Sequence, residues 1–146
     1  MPKSSRKRLL VISAHPDDET FGCGGTITLE ATQGAEVTVC CLTGTPSRHR
    51  ELKSACEVLG AKVIALNGKD LHLTVSEVTD ALIPIIQEVQ PEVLISHGAE
   101  DYHPDHRVVY QAFQRAAEWA GHSTQYQKKA WRPQRLFSME INTLLA

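Results

Sequence analysis

The chain has 146 residues, of which 42% are hydrophobic, 22% charged and 5% aromatic, with a formal net charge of -2. That length suits one domain large enough to bury a core without disulfide or metal staples, and the grouped apolar residues exclude intrinsic disorder. The near-neutral balance argues against nucleic acid as the main partner. No apolar run in the sequence approaches the ~20 residues that span a bilayer.

In chain order, Lys3, Arg6, Lys7 and Arg8 precede Leu9-Leu10-Val11-Ile12, and the apolar stretch stops at His15-Pro16-Asp17. A signal peptide wants ~7–15 apolar residues, so residues 1–7 read as a basic, mobile leader into a buried strand, Leu9–Ser13. A helix is expected from Gly25 to Gln33, closed by Gly34, and then a strand over Val37–Leu42. Leu52, Ala55, Cys56 and Leu59 follow at helical spacing with Gly60 as the stop. Val63–Leu66 is the third strand. Val75, Val78, Leu82, Ile85 and Val89 form the next stripe, opened by Thr74 or Ser76 and stopped by Pro91, with Pro84 expected to kink it or begin a second helix. After strand Val93–Ser96 and a loop over His97–Tyr102, a helix opens at Pro104 and carries Val109, Ala112, Phe113, Ala116 and Ala120 to Gly121. His122–Arg135 reads as a loop before a last strand, Leu136–Ile141.

The strand runs mostly lack alternation, as parallel strands covered on both faces do. Strand and helix alternate, which gives right-handed crossovers. The expected fold is α/β: one domain over residues 1–146 with an open, mostly parallel, Rossmann-like sheet of order 3-2-1-4-5 and helices on both faces. Cys23, Cys40, Cys41 and Cys56 show no CxxC spacing and read as small core residues of a reduced, cytoplasmic protein.

Two segments resemble each other: His15-Pro16-Asp17-Asp18 after the first strand, and His103-Pro104-Asp105-His106 after the fourth. In such a sheet ligands bind beyond the carboxyl ends of the strands where the order reverses, so the two segments would face each other across that reversal. Proline fits the first helical position in each. Side chains three apart then share a face, pairing His15 with Asp18 and His103 with His106, with Asp17 and Asp105 between. This mixture of nitrogen and oxygen donors suits zinc, and ferrous iron as well; three protein ligands and an open position suit catalysis. Zinc can lower the pKa of water to about 7 while polarising an acyl oxygen.

With Gly22-Cys23-Gly24-Gly25-Thr26 following the first motif, the pattern His-Pro-Asp-Asp-Glu and His-Pro-Asp-His-Arg strongly resembles the zinc-dependent N-acetylglucosaminyl deacetylases, the PIG-L or LmbE-like family. The likeness covers roughly residues 9–142. It implies an N-deacetylase acting on an N-acetylglucosamine-type sugar or glycoconjugate, with His15, Asp18 and His106 as metal ligands and Asp17 as general base. It implies that His103 polarises the reacting oxygen or protonates the departing amine, with Asp105 orienting it, and that Arg48 lies in the substrate pocket. Family members continue beyond the strand matching 136–141. The expectation is therefore a pocket completed by further chain or by a neighbouring subunit, or an unusually open cleft.

Simpler roles compete. Asp18 and the histidines can cap helices, and Glu19 reads as a group supporting a ligand or capping the helix rather than as a ligand. Gly24 and Gly25 could meet a phosphate at a helix N-terminus, although close packing beside the metal loop fits better. His97 divides evenly between lining the pocket and sitting satisfied and half-buried. His49, His72 and His122 read as surface residues, Asp101 and Tyr102 as rim, Arg107 as a helix-surface or supporting residue, and Trp119 and Trp131 as packing. Two further functions fit the donor set: a metal-dependent phosphoester hydrolase, which would need two bridged metals, and a non-catalytic, zinc-containing binding or assembly subunit.

Overall fold

A computed structural model describes residues 6–122 and 129–142. The elements run β1 (Arg8–Ser13), α1 (Asp18–Thr32), β2 (Glu36–Thr43), α2 (Pro46–Leu59), β3 (Ala61–Gly68), α3 (Val75–Val89), β4 (Val93–His97), α4 (Pro104–Trp119) and β5 (Arg135–Met139). The sheet has the order β3-β2-β1-β4-β5 and every neighbouring pair is parallel. Successive residues of β1 serve opposite faces. Leu9 and Val11 pack with Cys23 and Ile27 of α1 and Leu52 and Cys56 of α2. Leu10 and Ile12 pack with Val78, Leu82 and Ile86 of α3 and Val109 and Phe113 of α4. Both faces of the central strands are dry, which is why their sequences show no polar alternation.

Several boundaries differ from the sequence reading, each for a local reason. Helix α1 begins at Asp18 and is kinked at the non-helical Cys23, φ -150, so Gly24 and Gly25 open its second helical segment, which runs to Thr32. The helix expected from Gly25 corresponds to that segment, and the turn and a half before the kink is additional. Close packing is realised at Gly22: a Cβ there would meet the Met139 sulfur of β5 at 2.6 Å. Helix α3 continues through Pro84 as one element, capped by Thr74, whose hydroxyl accepts the Glu77 N–H. Helix α4 ends at Trp119 with Ala120 as its cap, not at Gly121. β4 extends to His97, which the sequence reading placed in the loop.

The fifth strand runs Arg135–Met139 instead of Leu136–Ile141, and as a sheet edge it exposes Leu136 and Phe137. Residues 1–5 of the expected leader and residues 123–128 of the expected loop lie outside the described residues. All four cysteines are free and buried; burial pushes each thiol up to about 12, as inert core residues require. Among the described residues no helix is long and apolar enough to cross a membrane.

Candidate functional site

The strand order reverses between β1 and β4, and the segments that leave these two strands carry the candidate chemistry. The first departs from Ala14, whose carbonyl accepts both the N–H and the hydroxyl of Thr43. Gly44, at φ 135, lies against this turn, where a Cβ would stand 2.6 Å from the His49 ring and 2.9 Å from Pro16. His49 is thus half-buried beside the turn, with its Nε2 3.1 Å from the Thr43 carbonyl, and is not a free surface residue. Pro16 precedes the helix, and the residue before Asp18 is Asp17 in a left-handed conformation, φ 97. The second segment does place proline first in its helix, with His103 as the cap accepting the Asp105 N–H.

Three donor atoms from the two segments form a small triangle. His15 Nδ1 lies 3.3 Å from Asp18 Oδ2, His106 Nε2 lies 3.0 Å from the same oxygen, and the two nitrogens are 3.3 Å apart. Tetrahedral bonds of about 2.0–2.2 Å place ligand atoms roughly 3.3–3.6 Å from one another; two sides of the triangle match and the third, 3.0 Å, is slightly shorter, so the triangle suits one zinc-sized ion. Looser groupings share its members, namely His15 with His103 and His106, Asp18 with His97 and His106, and His15 with Asp70 and Asp105, each within 4.8 Å. The rear nitrogen of each triangle imidazole meets a buried carboxylate at 2.8 Å: His15 Nε2 at Asp105 Oδ2, and His106 Nδ1 at Asp101 Oδ2. A carboxylate behind a histidine fixes its tautomer and leaves the front nitrogen free to bind a metal.

The electrostatics follow from this crowding. Burial alone would lower His15, but its hydrogen bonds to Asp18 and Asp105 prevail and raise it to about 9. His106 is raised in the same way by Asp18 and Asp101 against its own burial. Burial would raise Asp18, yet His106 and His15 hold it well below the usual carboxylate range. His103 is lowered by burial and by its histidine neighbours, and His97 is lowered to about 3, chiefly by burial.

The expected residues come together with one exchange of partners. The Asp105 carboxylate does not turn to His103; it accepts from the Leu71 N–H at 2.9 Å and meets His15, so the residue expected to orient His103 orients His15. Only the Asp105 backbone N–H reaches His103, because His103 caps the helix that Asp105 has entered. Asp17 is half exposed and its Oδ2 accepts from Arg48 at 2.8 Å, while the same guanidinium nitrogen donates to the Pro16 carbonyl. Glu19, fully buried, caps the turn by accepting the Asp17 N–H at 3.2 Å. A depression of about 230 Å³ between α1 and α2 is lined by Asp17, Phe21, Arg48 and Glu51 among others.

Two residues gain a role the sequence did not disclose. Asp101 is buried, its two oxygens serving His106 Nδ1 and the His103 N–H. His97 is fully buried against His106, with ring centroids 3.9 Å apart. Arg107 steadies the same loop by donating to the carbonyls of Asp101 and Tyr102. An acid five residues before a candidate ligand carries no periodic signal; the available clue was a carboxylate in a short loop between two histidines.

Residues 10–117 match the family model described as PIG-L, GlcNAc-PI de-N-acetylase. The chain belongs to the PIG-L family. A PIG-L relative from Bacillus cereus, a probable N-acetyl-alpha-D-glucosaminyl L-malate deacetylase 2, is 37% identical over 133 positions, covering 75% of this chain and 60% of that protein. This chain thus spans less than two thirds of that relative's length. Among solved structures, the conserved protein TT1542 from Thermus thermophilus superposes with a TM-score of 0.87 at 30% identity, covering 94% of this chain and 68% of that one. The 4-carboxy-2-hydroxymuconate hydratase GalB from Pseudomonas putida gives 0.75 at 28% identity, covering 87% and 62%.

Proposed function

We propose that this protein is a metal-dependent N-deacetylase that releases acetate and a free amine from an N-acetylglucosamine-type sugar or glycoconjugate. The observation that carries the reading is the triangle of His15, Asp18 and His106 donor atoms, each imidazole backed by its own buried carboxylate. These residues would hold one divalent ion, Zn2+ by donor type, with Fe2+ compatible. The chemistry such an ion supplies is polarisation of the acyl oxygen and a lower pKa for a water beside it.

The remaining roles belong to the protein. Asp17 takes the proton of the attacking water and returns it to the nitrogen as the acyl–nitrogen bond breaks; its left-handed backbone carries its carboxylate to the exposed side of the turn while Asp18 stays buried. The Asp105 N–H occupies His103 Nδ1, which leaves the ring proton on Nε2. That neutral donor suits the charge developing on the former carbonyl oxygen, a kind of contact worth about 2.7–4 kcal/mol. Asp105 and Asp101 keep the ligand imidazoles in one tautomer. Arg48 sets a cation beside Asp17, where it can meet the sugar's oxygens and steady the base.

The B. cereus relative's deacetylase name supports the amide as the bond cleaved, while the neighbour of the same fold named a hydratase favours a different target for water. Acetate release from a panel of N-acetylated amino sugars by Zn2+-loaded protein, with Asp18→Ala alongside, decides between them. Wild-type release that Asp18→Ala abolishes is expected. No release by metal-loaded protein from any member of the panel would overturn the activity.

A further inference from the structure

His97 ends β4, is fully buried, and takes no part in the reaction assigned above. Its Nε2 accepts the Ala14 N–H at 2.9 Å. Its ring lies nearly parallel to that of His106, at 12° and 3.9 Å between centroids. Its Nε2 also stands 3.5 Å from Asp18 Oδ2. Accepting an N–H leaves the ring proton on Nδ1, and Nδ1 has no hydrogen-bond partner among the described residues. A buried donor without an acceptor opposes folding, so filling space does not account for a histidine here; an apolar ring would fill it without that penalty. What one neutral imidazole combines is an in-plane acceptor for Ala14 and a flat face for His106.

We propose that His97 is a positioning residue that presets the metal-ligand triangle from beneath, an inference resting on His15, Asp18 and His106 being the ligands. The Ala14 peptide launches the turn that carries His15 and Asp18. Its carbonyl is held by Thr43 and its N–H by His97, so the two peptide planes that meet at the Ala14 Cα, from which that turn departs, are each held by a hydrogen bond. The stack fixes the His106 ring plane, and Asp101 fixes rotation within that plane, so the direction of Nε2 is determined. The proposed ligands of two separate segments are thereby keyed to one side chain at the carboxyl end of β4. His97 is not itself a ligand despite its nearness to Asp18 and His106, because its Nε2 lone pair is engaged by Ala14.

Two variants divide the contacts: His97→Phe keeps a ring face without the acceptor, and His97→Gln keeps an acceptor without the face. Zn2+ affinity measured by chelator competition, and the visible absorption spectrum of the Co2+-substituted protein, report the triangle independently of turnover. Each variant is expected to bind Zn2+ roughly 10–100-fold more weakly, the usual effect of losing a supporting group behind a metal ligand, and to show an altered Co2+ band. Folded variants with wild-type affinity and spectrum would overturn the proposal. Should neither variant fold, imidazole nitrogen NMR of the wild type decides: a Nδ1-protonated His97 unchanged by Zn2+ is expected, and a Nε2-protonated or metal-shifted ring overturns it. A wild type that binds no Zn2+ would instead fail the ligand assignment, and this proposal with it.

Discussion

The two histidine–proline turns look alike in sequence and differ in backbone. At the second, Pro104 opens α4, His103 caps it, and Asp105 and His106 are both buried in the first turn. At the first, Pro16 stays outside the helix and Asp17 adopts a left-handed conformation before Asp18. Positive φ is uncommon outside glycine and tolerated best by Asp and Asn. It separates two adjacent carboxylates, leaving Asp17 half exposed beside Arg48 and Asp18 buried between imidazoles. On the proposed roles, the first turn therefore supplies two ligands, His15 and Asp18, and a proton-accepting group, Asp17. On the same roles the second supplies one ligand, His106, a donor, His103, and, through Asp105, the support for the first turn's histidine. Repetition of a motif does not mean repetition of roles.

The sharpest way to break this comparison is at the adjacent pair. Asp18→Ala should abolish stoichiometric Zn2+ binding, as read by elemental analysis after desalting, and acetate release with it. Asp17→Asn keeps a residue that accepts the left-handed backbone; it should retain metal and lower kcat by roughly 10²–10⁴. Loss of metal in Asp17→Asn would mean that the backbone does not divide the two carboxylates into separate roles.

The second turn is probed by its supporting carboxylates. Asp105→Asn and Asp101→Asn should each weaken Zn2+ binding by roughly 10–100-fold in a chelator competition, since each stands behind one ligand imidazole. If Asp105 served His103 instead, Asp105→Asn would lower kcat and leave metal affinity unchanged.

A smaller effect concerns pH. In metal-free protein the His15 pKa is raised from 6.5 to about 9, so the stabilisation from its imidazolium is complete below 6.5 and is lost as pH rises through about 9. The thermal midpoint of chelator-treated protein should fall across that window, while Zn2+-loaded protein, with neutral ligand imidazoles, should not show that fall. Parallel profiles for the two forms would remove His15 from the ligand set.

How far the sequence could be read follows from the same contrast. The strands and the helices α2, α3 and α4 were legible because apolar spacing reports which residues meet a core, and the strand order followed from the fold class that their alternation implies. The start of α1 was not: four residues from Gly22 to Gly25 with three glycines depress helix propensity, and Gly22 is there to let α1 approach Met139. The triangle's residues were legible from motif spacing and family likeness. The exchange of partners by Asp105 and the support from Asp101 and His97 were not, because they depend on loop geometry and on which strand residue lies beneath the site. Pro84 illustrates the reverse case, where tertiary packing of α3 overrides a local breaker.

The central claim is tested most directly by anomalous diffraction at the zinc edge on crystals of Zn2+-loaded protein. One ion per chain is expected, bound by His15 Nδ1, His106 Nε2 and an Asp18 oxygen at about 2.0–2.2 Å, with Asp101 and Asp105 behind the two rings. An ion held elsewhere, or a well-ordered chain in which His15 and His106 do not share it, would contradict the account.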